Sequence, residues 1–214
     1  MKKPVTLYIL LLALSIGVLF LLNLFLGSVD IPFRSIWNIL WGMDEGESVI
    51  WQNIIWKSRV PQALTAMVAG AGLAVSGLQM QTVFRNPLAG PSVLGISSGA
   101  SLGVAFVVLL SGSIGGIALS RLGFMGEIAL TMAAIIGALS IMALIVYVSQ
   151  KVHGNVTLLI IGVMIGYVAN AVIGVLKFFS VEEDIRAYVI WGLGSFARVS
   201  GNQMMVFVCI MAVL

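Results

Sequence analysis

Long apolar runs separated by short polar clusters organise the chain. From Val5 to about Gly27 nearly every residue is Leu, Ile, Val, Phe or small. A helical crossing of the hydrocarbon core takes about 20 apolar residues, so this run predicts a first span. The same criterion predicts spans at about Pro61–Val83, Ser92–Leu110, Ile128–Val148 and Val156–Phe179. The run from Met204 to Leu214 falls well short of that length. The pattern therefore predicts an all-α, polytopic membrane helix bundle of about five complete spans plus a truncated sixth. Residues 1–214 read as one transmembrane domain, incomplete at the C-terminus. Lys2 and Lys3 precede the first run as they would in a signal peptide. That run exceeds the usual h-region and lacks a small-residue cleavage site, so it is expected to stay as a span.

The polar clusters differ in character. Residues 28–58 mix Asp30, Arg34, Asp44, Glu45, Glu47 and Lys57 with Trp37, Trp41, Trp51 and Trp56, the composition of an interfacial belt. Pro61 is placed near the start of span two, where its missing N–H costs little. Ser111–Glu127, containing Arg121, reads as a loop, and Glu182, Glu183 and Asp184 read as a solvated acidic loop after span five. Gly77–Gly99, GLQMQTVFRNPLAGPSVLGISSG, stands apart. Pro87 and Pro91 forbid a continuous helix, while Gln79, Gln81, Arg85 and Asn86 seek water or a protein partner. Irregular backbone beside apolar spans persists only where protein buries it or a wet cavity receives it, so this turn is expected to line something.

Composition narrows the function classes. Sixty per cent of the 214 residues are hydrophobic and 9% charged, which together with a mean hydropathy of +1.13 excludes an ordinary soluble domain. The net charge of +3 is spread without a basic run, so nucleic acid is not an expected partner. Cys209 is the only cysteine and His153 the only histidine, which leaves no metal-ligand cluster and no evident nucleophile and base pair. Neither a catalytic nor a metal site is expected. Sorting Lys and Arg by loop parity leaves the orientation open, because the raw count and the net charge point to opposite sides.

Arg59–Gly103, RVPQALTAMVAGAGLAVSGLQMQTVFRNPLAGPSVLGISSGASLG, resembles the signature region of FecCD-type permease subunits from ABC importers of iron chelates, haem and vitamin B12. The elements in common are an R-x-P entry, a Gly/Ala-rich helix with S-G and M-Q, N-P-L-A-x-P, a Leu-Gly pair and a G-A-S turn. WGLGSF at Trp191–Phe196 resembles a later W-x-x-G-S element. The resemblance implies a bacterial inner-membrane, multi-pass permease with an inner N-terminus. It implies pairing with a second permease copy or a homologous permease, two cytoplasmic ATPase subunits that bind the ATP, and an external substrate-binding protein. No cofactor is implied on this chain, and the segment that docks the ATPase in the family is absent from it. The cargo is a metal chelate, with an iron-siderophore favoured as the commonest in the family and haem or cobalamin open.

The resemblance also assigns residues. Arg59, with Gln62 where the family has a second arginine, would dock the binding protein, although Arg59 also suits an interfacial anchor beside Trp56. Asn86 and Leu88 fall at the narrow cytoplasmic end of the translocation pathway, and Asn155 and Thr157 at a second constriction. For Asn155 helix capping is the stronger reading, and the two roles are compatible. Two rival classes are an ion-coupled secondary transporter, whose broken helices resemble the central turn, and an intramembrane hydrolase. The first rival usually carries acidic residues within spans, whereas every Asp and Glu here is assigned to a loop or its edge.

Overall fold

A computed structural model describes residues 5–43, 48–111, 124–152, 154–197 and 199–213, without the side chains of Ser111 and Phe124. Lys2, Lys3, Asp44, Glu45, Glu47, Arg121, His153 and Leu214 lie outside the described residues. All the regular structure described is helical: α1 (Val5–Phe25), α2 (Phe33–Leu40), α3 (Val49–Ile54), a π-helical segment (Ile55–Arg59), α4 (Val60–Phe84), α5 (Ile96–Ser111), α6 (Phe124–Ser149), α7 (Asn155–Phe179), α8 (Glu182–Gly192) and α9 (Gly201–Val213). The helices long and apolar enough to cross a membrane are Val5–Phe25, Val49–Phe84, Met125–Ser149 and Asn155–Phe179. The third predicted span differs: Ser92–Gly95 stays in turns, so α5 has 16 residues rather than a full crossing's length.

The chain forms two compact units, Met1–Gly72 with Ser195–Leu214, and Leu73–Gly194. In the first, Ile31, Ile36, Ile39 and Ile55 form a buried core flanked by Phe25, Trp51, Ile54 and Val60. The interfacial belt is thus partly helical. Helix α2 buries Ser35, Ile36 and Ile39 on one face and leaves Phe33 and Trp37, four residues apart, on the other. Pro61 is the second residue of α4, but α4 continues an unbroken helical run instead of opening one. It follows the π-helical segment inside the run Val49–Phe84, where the segment's wider i→i+5 bonding, closed by Val60 N–H donating to the Ile55 carbonyl, adjoins the donor that proline lacks.

In the second unit, α5 packs on α6 through small residues. A Cβ on Gly103 would overlap the Ala133 carbonyl, and one on Gly137 would overlap the Gly99 carbonyl. Gly99 and Gly103, like Ala133 and Gly137, are four residues apart, the spacing that lets two membrane helices approach at backbone distance. Val104, Ala105, Val108 and Leu109 of α5 meet Ile173 of α7 and Tyr188 of α8 in one core. Ala89, Leu94, Ile145 and Leu159 form another. The expected acidic loop is instead the first turn of α8, where the helix dipole favours Glu182, Glu183 and Asp184, and Asp184 is buried. Burial raises the pKa of the Tyr188 phenol above its ordinary value, opposed by a hydrogen bond with the Ser101 side chain.

Candidate functional site

The break after α4 is built in defined steps. Arg85 takes a left-handed conformation with φ of 49°. Its N–H donates to the Thr82 carbonyl at 3.3 Å and the Asn86 N–H to the Gln81 carbonyl at 3.1 Å, the paired bonds of a Schellman C-cap. Asn86-Pro87-Leu88-Ala89 then closes a β-turn, with Ala89 N–H donating to the Asn86 carbonyl at 3.1 Å and Leu88 N–H to Asn86 Oδ1 at 2.9 Å. Gly90-Pro91-Ser92-Val93 repeats the geometry through a 3.0 Å bond. Each proline occupies the second turn position, where its fixed φ fits and no N–H is required.

These turns rest on α7. Gly95 has φ of 73°, and a Cβ there would lie 2.8 Å from the Gly162 carbonyl oxygen, so conformation and space both exclude a side chain. A Cβ on Gly162 would meet Leu94 Cα at 2.9 Å. Gly162 and Gly166 therefore notch one face of α7 to receive the end of the broken turn. Beside this contact Asn86, Leu88 and Val93 face Val156, Leu159, Ile160, Val163 and Met164 across a shallow, mostly apolar groove of about 300 Å³.

Of the residues singled out in the sequence, Asn86 and Leu88 line this groove, and Leu88 is 82% exposed. Asn155 does not cap α7. Gly154 holds the cap position without a side-chain bond, and the Asn155 amide instead donates to the Val83 carbonyl at 3.3 Å, tying the start of α7 to the end of α4. Thr157 is exposed and outside the groove lining. The apolar wall on α7 and its glycine notch were not singled out in the sequence. The Gly162–Gly166 spacing within span five was the available signal.

In the other unit, Arg59 is only 5% exposed. Its Nη1 donates to the carbonyls of Leu24 at 2.5 Å and Phe25 at 3.3 Å, and its Nη2 donates to Val29 at 2.5 Å. The guanidinium thus occupies the C-terminal end of α1, where free carbonyls and the helix dipole favour a cation. The side chain therefore clasps backbone of its own unit instead of standing free at the surface. Gln62 is half-buried.

The FecCD transport family model matches residues 12–214. The hemin transport system permease protein HmuU of Yersinia pestis is 35% identical over 182 residues, covering 85% of this chain and 51% of that protein. The vitamin B12 import system permease protein BtuC of Serratia proteamaculans is 35% identical over 208 residues, covering 97% and 56%. A solved structure described as an inward-facing conformation of a metal-chelate type ABC transporter superposes with a TM-score of 0.72 at 26% identity, over 99% of this chain and 60% of that one. The chain spans about half the length of the curated relatives it matches. By the family match and these relatives, the chain belongs to the FecCD transport family.

Proposed function

We propose that the chain is permease sequence of a binding-protein-dependent ABC importer for a metal chelate, with residues 1–214 forming part of one transmembrane permease domain. The observation that carries this reading is the double proline turn seated on the glycine notch of α7, which brings Asn86 and Leu88 beside the first turns of that helix. Small polar and apolar side chains at such a break can close a pathway without holding cargo tightly. In this reading Asn86, Leu88, Asn155 and Thr157 belong to the cytoplasmic gate, and Asn155 acts by fixing the start of α7 against α4.

The permease itself performs no chemistry. ATP binds to two cytoplasmic ATPase subunits, a second permease copy or homologue completes the pathway, and an external binding protein delivers the chelate. The N-terminus lies on the cytoplasmic side of the bacterial inner membrane. An iron-siderophore is the favoured cargo, with haem or cobalamin as the alternatives that the relatives' names support. Gln62 is retained as a contact for the binding protein, while Arg59 fixes the backbone near it.

The test is uptake by the complete complex in vesicles, with binding protein loaded in turn with an iron-siderophore, haem or cobalamin. Uptake of one chelate that requires ATP supports the reading, and uptake driven by an ion gradient without ATP overturns it. A cysteine replacing Leu88 should cross-link to the partner permease to an extent that changes with nucleotide state. No cross-link in any nucleotide state would remove Leu88 from the gate.

A further inference from the structure

Helix α2 carries an aromatic ladder that its own unit leaves uncovered. Phe25, the last residue of α1, stacks on Phe33 with ring centroids 4.8 Å apart. Phe33 follows on Trp37 at 6.3 Å, and Trp37 on Trp41 at 5.8 Å. Phe33, Trp37 and Trp41 recur every fourth residue, so they form one stripe along about 12 Å of helix. They are 64%, 44% and 65% exposed, whereas Ile36 and Ile39 on the opposite face are buried. The helix therefore has a protein-facing side and a separate aromatic side.

The residues around the stripe indicate what meets it. The ladder starts at the end of α1, an apolar helix of span length whose most apolar stretch buries no residue. It thus continues the exposed apolar surface of α1 past the end of that helix. Neither the Trp37 nor the Trp41 indole N–H donates to a described residue, and Arg34 and Asp30 are exposed nearby. An indole with an apolar body and a free donor matches the glycerol carbonyls and phosphates of a bilayer interface. A large amphipathic contrast on a short helix is the pattern of a segment lying in that interface.

We infer that α2 lies in the membrane plane with Phe33, Trp37 and Trp41 inserted among phospholipid headgroups and upper acyl chains, as a lipid-binding surface that sets the depth of the α1 end. This inference is independent of the cargo. It is tested on the complete complex, otherwise free of cysteine and with Cys209→Ser, carrying a nitroxide at Trp41→Cys or, separately, at Phe33→Cys. The complex is reconstituted in phosphatidylcholine and phosphatidylglycerol vesicles. At both positions membrane-dissolved oxygen should relax the label several-fold more than an aqueous nickel chelate does. Preferential relaxation by nickel would place α2 in water, and an immobilised label reached by neither would place it under a protein partner. Either result overturns the inference. Bromine on the upper acyl chain should also quench native fluorescence more in the unlabelled complex than in its Trp41→Phe form, and equal quenching would count against insertion.

Discussion

Replacing Arg59 by alanine separates a structural role from docking of the binding protein. The guanidinium donates to Leu24, Phe25 and Val29, and Gly27 lies directly beneath it. Hydrogen bonds to a charged group are worth about 1.5–3 kcal/mol each, and a cation at a helix C-terminus adds up to about 2 kcal/mol, offset by the cost of burying the charge. A net loss of about 2–4 kcal/mol is expected for Arg59→Ala, because the carbonyls at the end of α1 lose a buried donor. Lysine should restore only part of it, since one ammonium cannot reproduce the planar fork. Gly27→Ala should act at the same place, as its Cβ would lie 2.6 Å from Nη2. The assays are thermal unfolding of the detergent-solubilised complex, amide hydrogen exchange over residues 22–31, and binding-protein affinity across a salt series. Faster exchange and lower stability with unchanged affinity are expected. Unchanged stability and exchange, together with affinity lost chiefly at low salt, would refute the buried clasp and restore Arg59 as an exposed docking charge.

Other consequences follow from the second unit. Gly137→Ala should destabilise by about 1–3 kcal/mol in thermal unfolding, because its Cβ overlaps the Gly99 carbonyl, while Gly174→Ala, with open space around it, should be neutral or slightly stabilising. Asn155→Ala should cost about 1 kcal/mol or less, since its bond to Val83 is exposed, yet should change ATP-driven uptake if the α4–α7 tie belongs to the gate. Below pH 10 the Tyr188 phenol is neutral in folded and unfolded chains alike. Above it the unfolded chain ionises first, so stability should fall with rising pH until the folded phenol also ionises. Tyr188→Phe should remove that slope from alkaline unfolding curves.

Span positions were legible because twenty apolar residues have one low-energy arrangement in a bilayer: Val5–Phe25, Met125–Ser149 and Asn155–Phe179 follow the predicted runs closely, whereas the predicted Pro61–Val83 lies inside the longer helical run Val49–Phe84. Misreadings arose where local chemistry competes with that rule. Pro61 suggests a helix start until the π-helical segment before it is known, and a π segment has no composition of its own. The acidic triplet at 182–184 reads as a loop by charge, yet carboxylates in a first helical turn are favourable, and the apolar Tyr188 and Trp191 that follow supply a buried face. Ser92–Gly95 is apolar enough for a span, but Pro91 and the left-handed Gly95 hold it in turns.

The site divides along the same line. Asn86 and Leu88 were legible because N-P-L-A has turn chemistry that can be worked out residue by residue, and the observed bonds are the ones that chemistry requires. Their surroundings were not, because a groove wall belongs to whichever helix the turn lands on, and landing is decided by shape. Gly162 and Gly166 are two small residues among many in the apolar runs until Gly95 is found against them. Asn155 shows the same limit from the other side. Its place before an apolar helix predicts a cap, but Gly154, with φ of 114°, takes the cap position and leaves the amide free to reach Val83, 72 residues earlier in the chain. A long-range tie of this kind couples the end of α4 to the start of α7. Under the proposed gate, movement of the proline turns would then be coupled to α7, as a gate assembled from two separate sequence motifs requires.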